Sequence, residues 1–162
     1  MKTQAQILVG IQFIFFALLA GALFLLPAGQ AGWERIFGIL IALLGLAMIF
    51  LAILNHWQAN RALVHVSPEP NASVALVQSG LYTRIRHPIY TGVMLAGLGA
   101  AMAHGHWIPL LIALALCVFF AYKSTFEERW LMQVYPAYAA YRQRAGRFLP
   151  LWFTLFINVF FV

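Results

Sequence analysis

Along this chain the apolar residues run together in long blocks, and the polar ones gather mainly where those blocks end. Residues 7–26, ILVGIQFIFFALLAGALFLL, and 36–54, IFGILIALLGLAMIFLAIL, carry no charge over the length that a bilayer core requires, so both predict transmembrane helices. A third block, Ile89 to Ala103, is short and spotted with Gly92, Gly97 and Gly99. The fourth, Trp107 to Tyr122, follows after only His104, Gly105 and His106, which predicts a tight helical hairpin. Lys2 before the first block permits a signal-peptide reading, but the block is longer than such a region, and a retained span is expected. The tail FLPLWFTLFINVFFV (148–162) is short for a span and has three paths open to it: along the interface, back onto the bundle, or across as a tilted fifth helix. The expected fold is an all-α polytopic membrane bundle of four spans in a single domain, with residues 1–60 as two N-terminal helices and 68–150 as the core that carries chemistry.

Composition agrees. At 162 residues, 64% hydrophobic and 9% charged, the chain has too little polar side chain to coat a water-soluble globule. Charge placement then orients it. Lys2, Arg61, Arg84, Arg86, Lys123, Arg129, Arg142, Arg144 and Arg147 fall on one side of the expected spans and Arg35 alone falls in a loop on the other. This bias puts both termini on the cytoplasmic side and turns a net charge of +6 toward membrane lipid head groups. Nucleic acid is excluded as a partner, because the basic residues are scattered over short loops with no folded basic domain beneath them. Cys117, the one cysteine, sits inside an apolar run and reads as packing, without a disulfide or CxxC site. His104 and His106 have no carboxylate or thiol nearby in sequence and read as interfacial polar residues, so no metal is expected.

Two polar constellations stand at the cytoplasmic ends of the third and fourth blocks. The first, residues 79–92, is SGLYTRIRHPIYTG, in which turn signals at Ser79 and Gly80 lead to His87, and Pro88 opens a helix. Free backbone N–H groups at such a start favour an anion or polar ligand. Arg86 and His87 add donors, and Tyr82 and Tyr90 add ring faces on which a cation can rest. The second, residues 123–131, is KSTFEERWL and continues the fourth helix out of the membrane, with Lys123 and Glu127 on one face. Two adjacent carboxylates are conspicuous in a chain with four acidic residues. The bland alternative is a pair of surface ions, with Lys123 paired to Glu127 and Glu128 to Arg129.

Taken together, S-G-x-Y-x-x-x-R-H-P-x-Y-x-G, a helical hairpin, E-E-x-x-L, paired tyrosines and a basic stretch closing in Leu-Pro resemble the isoprenylcysteine carboxyl methyltransferase and phospholipid methyltransferase family, over roughly residues 68–150. The resemblance implies an integral membrane methyltransferase that uses S-adenosyl-L-methionine without a Rossmann fold. It places Val74, Ala75, Leu76, Val77, Tyr82, His87, Pro88, Ile89 and Tyr90 along the cofactor, with Glu127 closing the pocket. Lys123 and Glu127 are the implied catalytic pair. Lys123 falls where the family has an arginine near the acceptor, and a lysine does not reproduce a planar two-pronged grip on a carboxylate. Tyr138 and Tyr141 stand for the family's tyrosine pair with altered spacing. The implied acceptor is a lipophilic or small molecule bearing a carboxylate, an amine or a thiol. Two rivals remain. Membrane sterol reductases that use a nicotinamide cofactor share an Arg-His-Pro-x-Tyr stretch, and a non-catalytic bundle derived from the family would retain the pattern.

Overall fold

The computed structural model describes residues 2–29, 32–61 and 75–153. Val74, the turn signals at 67–71 and the tail beyond residue 153 lie outside these. The described residues are helical with no strands. They form α1 (Lys2–Leu25), α2 (Trp33–Asn60), a 3-10 turn (Gly80–Thr83), α3 (Pro88–His104), α4 (Trp107–Val134) and α5 (Tyr138–Arg144).

Three of these helices, α1, α2 and α4, are long and apolar enough to cross a membrane. Large apolar side chains, among them Phe13, Leu18, Phe37, Leu44, Phe50, Leu111 and Val118, stand exposed along them, as lipid-facing positions require. The protein is an integral membrane protein. α3 is shorter than that set: its 17 residues extend about 25 Å at 1.5 Å each. Its limits have local causes. Residues 84–87 are held outside the helix, Pro88 opens it, and Gly105, at φ 76°, closes it in the left-handed conformation that glycine adopts without strain. His106 then caps α4, its Nδ1 accepting from the Ile108 amide at 3.1 Å, so the predicted hairpin turn is present.

The helices pack antiparallel in two different ways. α2 and α3 meet backbone to backbone. A Cβ on Gly45 would lie 2.4 Å from the Ala96 amide, and one on Gly99 would lie 2.3 Å from the Ala42 amide. At Gly92, Gly45 and Ile49 of α2 fill the space a side chain would need, so this glycine serves helix packing. α1 and α4 instead interlock aromatic side chains, Phe15 with Phe119 at 5.4 Å between centroids and Phe16 with Phe120 at 6.5 Å, around buried Leu8, Leu19 and Leu116. Arg35 is also repositioned. It lies in the first turn of α2, where its guanidinium donates to the carbonyls of Ala103 (3.2 Å) and Gly29 (3.1 Å) and ties α2 to the end of α3.

Because α3 and α4 run antiparallel, the start of α3 and the end of α4 arrive at one end of the bundle. The segment after α5 closes over them. The Arg86 and His87 amides donate to the carbonyls of Gly146 (2.8 Å) and Arg147 (3.0 Å), and the Gly146 amide donates back to Arg84 O at 2.9 Å. The Thr91 hydroxyl adds a bond to Phe148 O at 2.9 Å.

Candidate active site

At this end the two neighbouring glutamates have opposite surroundings. Glu128 is 2% exposed and collects cations. Arg86 Nε donates to its Oε1 at 2.9 Å, His87 Nε2 lies 3.2 Å from the same oxygen, and Arg147 and Arg142 approach Oε2 at 3.4 and 3.7 Å. A carboxylate enclosed by so many donors is held as an anion and braces three separate segments. Glu127, one residue earlier, points to another side of α4. Its side chain is 22% exposed, its hydrogen-bond partner is the Tyr90 hydroxyl at 2.8 Å, and His87 Nδ1 stands 3.7 Å away, beyond hydrogen-bond range.

His87 therefore sits between the two carboxylates. Its ring is buried and stacks on Tyr90, centroids 5.4 Å apart and planes 6° apart, with Phe148 on the other side at 6.0 Å. The contact with Glu128 places a proton on Nε2, which leaves Nδ1 facing Glu127. Tyr82 comes from the 3-10 turn, whose first residue, Gly80, adopts φ 58° and presses against Asn55 so closely that a Cβ there would overlap its amide. Asn55 Oδ1 accepts from the Leu81 amide at 2.9 Å and fixes that turn to α2. Burial pushes the Tyr82 phenol above its ordinary value, and Tyr141 and Glu127 push in the same direction, so Tyr82 is a neutral phenol.

The other residues singled out from the sequence fall into three groups. Pro88 is buried at the start of α3, and Ile89 and Tyr90 follow it on the first turn. Leu76 packs against the Tyr138 and Tyr141 cluster, Val77 is buried, and Ala75 is held at both its amide (2.9 Å) and its carbonyl (3.3 Å) by the Asn60 side chain. Lys123 is deeper. It is 1% exposed, bonds to Gln12 of α1, and rests over the rings of Tyr90 (5.3 Å) and Phe120 (6.0 Å).

Two expectations change. Arg86 was a donor expected to be free for a ligand anion, but its guanidinium is occupied by Glu128 and by the carbonyls of Arg142 and Ala145. The surface ion-pair alternative also fails for Glu128: its partners come from 42 residues before it and from 14 and 19 residues after it. Arg129 lies instead over the Phe126 ring at 5.4 Å. The bracing role of Glu128, the closing role of Arg147 and the Gln12 contact were not legible as site features. A lone glutamine inside an apolar run was the one signal for the last. Tyr141 proves structural, donating to Tyr82 O at 2.5 Å, whereas the buried Tyr138 hydroxyl has no hydrogen-bond partner among the described residues.

With this geometry in view, the comparisons with known proteins agree. The phospholipid methyltransferase family model matches residues 33–138, from the start of α2 to the start of α5. The chain belongs to the phospholipid methyltransferase family. Similar proteins include a protein-S-isoprenylcysteine O-methyltransferase of Schizosaccharomyces pombe, 34% identical over 58% of this chain and 41% of its own length. Protein-S-isoprenylcysteine O-methyltransferase B of Arabidopsis thaliana is 30% identical over 75% of this chain and 61% of its own. The cobalt-zinc-cadmium resistance protein CzcN of Cupriavidus metallidurans is 30% identical over 75% of this chain and 55% of its own. The chain thus spans between about four and six tenths of the length of these relatives. The family match includes the His87 and Glu127 constellations and leaves out α1, which supplies Gln12.

Proposed function

We propose that this family member is a membrane methyltransferase that uses S-adenosyl-L-methionine, with its cofactor pocket at the His87–Glu127 end of the bundle. In this reading α3 serves as a fourth, short span, and the pocket end faces the cytoplasm, where the basic residues concentrate.

The observation that carries the proposal is the state of Glu127. Arg86, Arg142 and Arg147 are gathered around Glu128, which leaves Glu127 as a partly exposed carboxylate flanked by aromatic rings. That donor set fits a cationic, partly aromatic ligand. The carboxylate suits an ammonium and the Tyr82 ring suits a positive sulfur, the Tyr90 ring being already stacked on His87 and covered by Lys123, while the His87 edge and the Tyr138 hydroxyl, which has no partner among the described residues, offer polar contacts. Arg86 is not available for the ligand's carboxylate; backbone N–H groups at the first turn of α3 are the better candidates.

When bound, the cofactor supplies a methyl group on a sulfonium, ready for direct displacement. The protein's own part is to position, to exclude water and to manage a proton. Glu128 holds His87 and the 145–148 segment, and these in turn fix Tyr90 and Glu127, so the residues that meet the cofactor are set before it arrives. The apolar walls of α1, α3 and α4 keep the transfer dry. For an amine or thiol acceptor, Glu127 takes the proton that leaves with methylation; an acid acceptor needs no such base. The acceptor is lipophilic or small and reaches the site from the membrane side, the cofactor from the aqueous side.

The test is stabilisation of the detergent-purified protein by ligand. S-adenosylhomocysteine is expected to raise the melting temperature and NADPH to leave it unchanged. Stabilisation by NADPH instead would favour a reductase, and stabilisation by neither would favour a bundle without activity.

A further inference from the structure

Lys123 is the most enclosed cation in the described structure, and its environment is unusual for one. Among the described residues no carboxylate lies within ion-pair distance of it. The described oxygen it bonds to belongs to Gln12, itself buried, and it also rests over the faces of Tyr90 and Phe120. An ammonium has three N–H donors, and one amide oxygen and two ring faces leave it under-compensated in an apolar interior. Tyr90 touches both Lys123 and Glu127, so Gln12, Lys123, Tyr90 and Glu127 form a line from the lipid-facing helix to the proposed methyl-transfer site.

The wall that hides Lys123 is the one suited to give way. α2 and α3 are locked backbone to backbone, whereas α1 leans on α4 through side chains.

We infer that Gln12 is a gate residue of the acceptor subsite: its amide oxygen holds Lys123 when no acceptor is present, and an oxygen of the lipophilic acceptor displaces it by entering beside α1. The inference rests on the proposed methyltransferase reading and adds to it a role for a helix outside the family match. Removing the competing amide oxygen must then favour a ligand that brings its own.

The experiment measures binding of dodecanoate, dodecanol and dodecyltrimethylammonium to the full chain in detergent, with S-adenosylhomocysteine affinity measured alongside. Wild type is expected to prefer dodecanoate. Gln12→Leu should strengthen dodecanoate binding by about tenfold, the worth of one hydrogen bond to a charged group, with S-adenosylhomocysteine affinity unchanged. Gln12→Glu supplies a resident anion and should weaken dodecanoate binding by at least about tenfold while the protein stays folded. Lys123→Met should abolish the preference for the anion. Unchanged dodecanoate binding in both Gln12 variants, or an anion preference that survives Lys123→Met, overturns the gate. Failure of S-adenosylhomocysteine to bind any variant overturns the methyltransferase reading, whatever the dodecanoate ranking.

Discussion

Glu127 and Glu128 are neighbours in sequence and opposites in structure. Glu128 is fully enclosed, and its arginine and histidine partners come from the loop before α3, from α5 and from the segment beyond it. Glu127 is partly open, and among the described residues its close polar partner is a phenol. A carboxylate whose charge is spent on its own protein acts as a brace; one whose charge is left over is available to a ligand. The pair teaches that at this membrane end stability and binding are carried by adjacent residues on different sides of one helix.

The largest effect that tests this contrast is the loss of Glu128. Glu128→Ala leaves Arg86 and His87 buried without their counter-ion, and removing one partner of a buried pair costs about 3–5 kcal/mol. The variant is expected to lose most of its thermal stability in detergent, with the 145–148 segment becoming sensitive to protease. Next comes Gly99→Leu. The new side chain meets Ala42 and Gly38 backbone atoms at 2.3–2.8 Å and must push α2 from α3, an overpacking cost of at least about 1–3 kcal/mol, visible as a lowered melting temperature. Tyr90→Phe removes one hydrogen bond from Glu127 and keeps the ring over Lys123. It should cost about 1 kcal/mol, read as a several-fold weaker S-adenosylhomocysteine affinity, and move stability little. Tyr141→Phe is the smallest. It loses the bond to Tyr82 O, and a stability change of about 1 kcal/mol or less is expected, with ligand affinity near wild type. If Tyr141→Phe weakened the ligand more than Tyr90→Phe did, the division between brace and binding face would be wrong.

How much of this was legible in the chain depends on the range of the interaction. Hydropathy and local punctuation located the helices, because a bilayer demands long apolar runs and because Pro88 and Gly105 act through their own backbone geometry. The hairpin turn was readable for the same reason. The start of α3 at Pro88 and the continuation of α4 past its apolar stretch were read as well; what the chain did not disclose is what holds them there, the pairing of residues 84–87 with 146–147 and the buried partners of Lys123 and Glu128. Family likeness brought Tyr82, His87, Tyr90 and Glu127 to attention together. It did not separate Glu127 from Glu128, because that distinction depends on which arginines the fold delivers from far along the chain, and no spacing rule encodes it. Gln12 was hidden for the same reason, its partner being 111 residues away.

The most direct measurement of the central claim is a calorimetric titration of the detergent-purified protein with S-adenosylhomocysteine, comparing wild type with Glu127→Gln. Glu127→Gln is close to isosteric and leaves the Glu128 brace intact, so it is expected to melt within a degree or two of wild type, a change of a few tenths of a kcal/mol, while cofactor affinity falls by about tenfold or more. Wild-type affinity in a folded Glu127→Gln protein would contradict the assignment of this carboxylate to the cofactor.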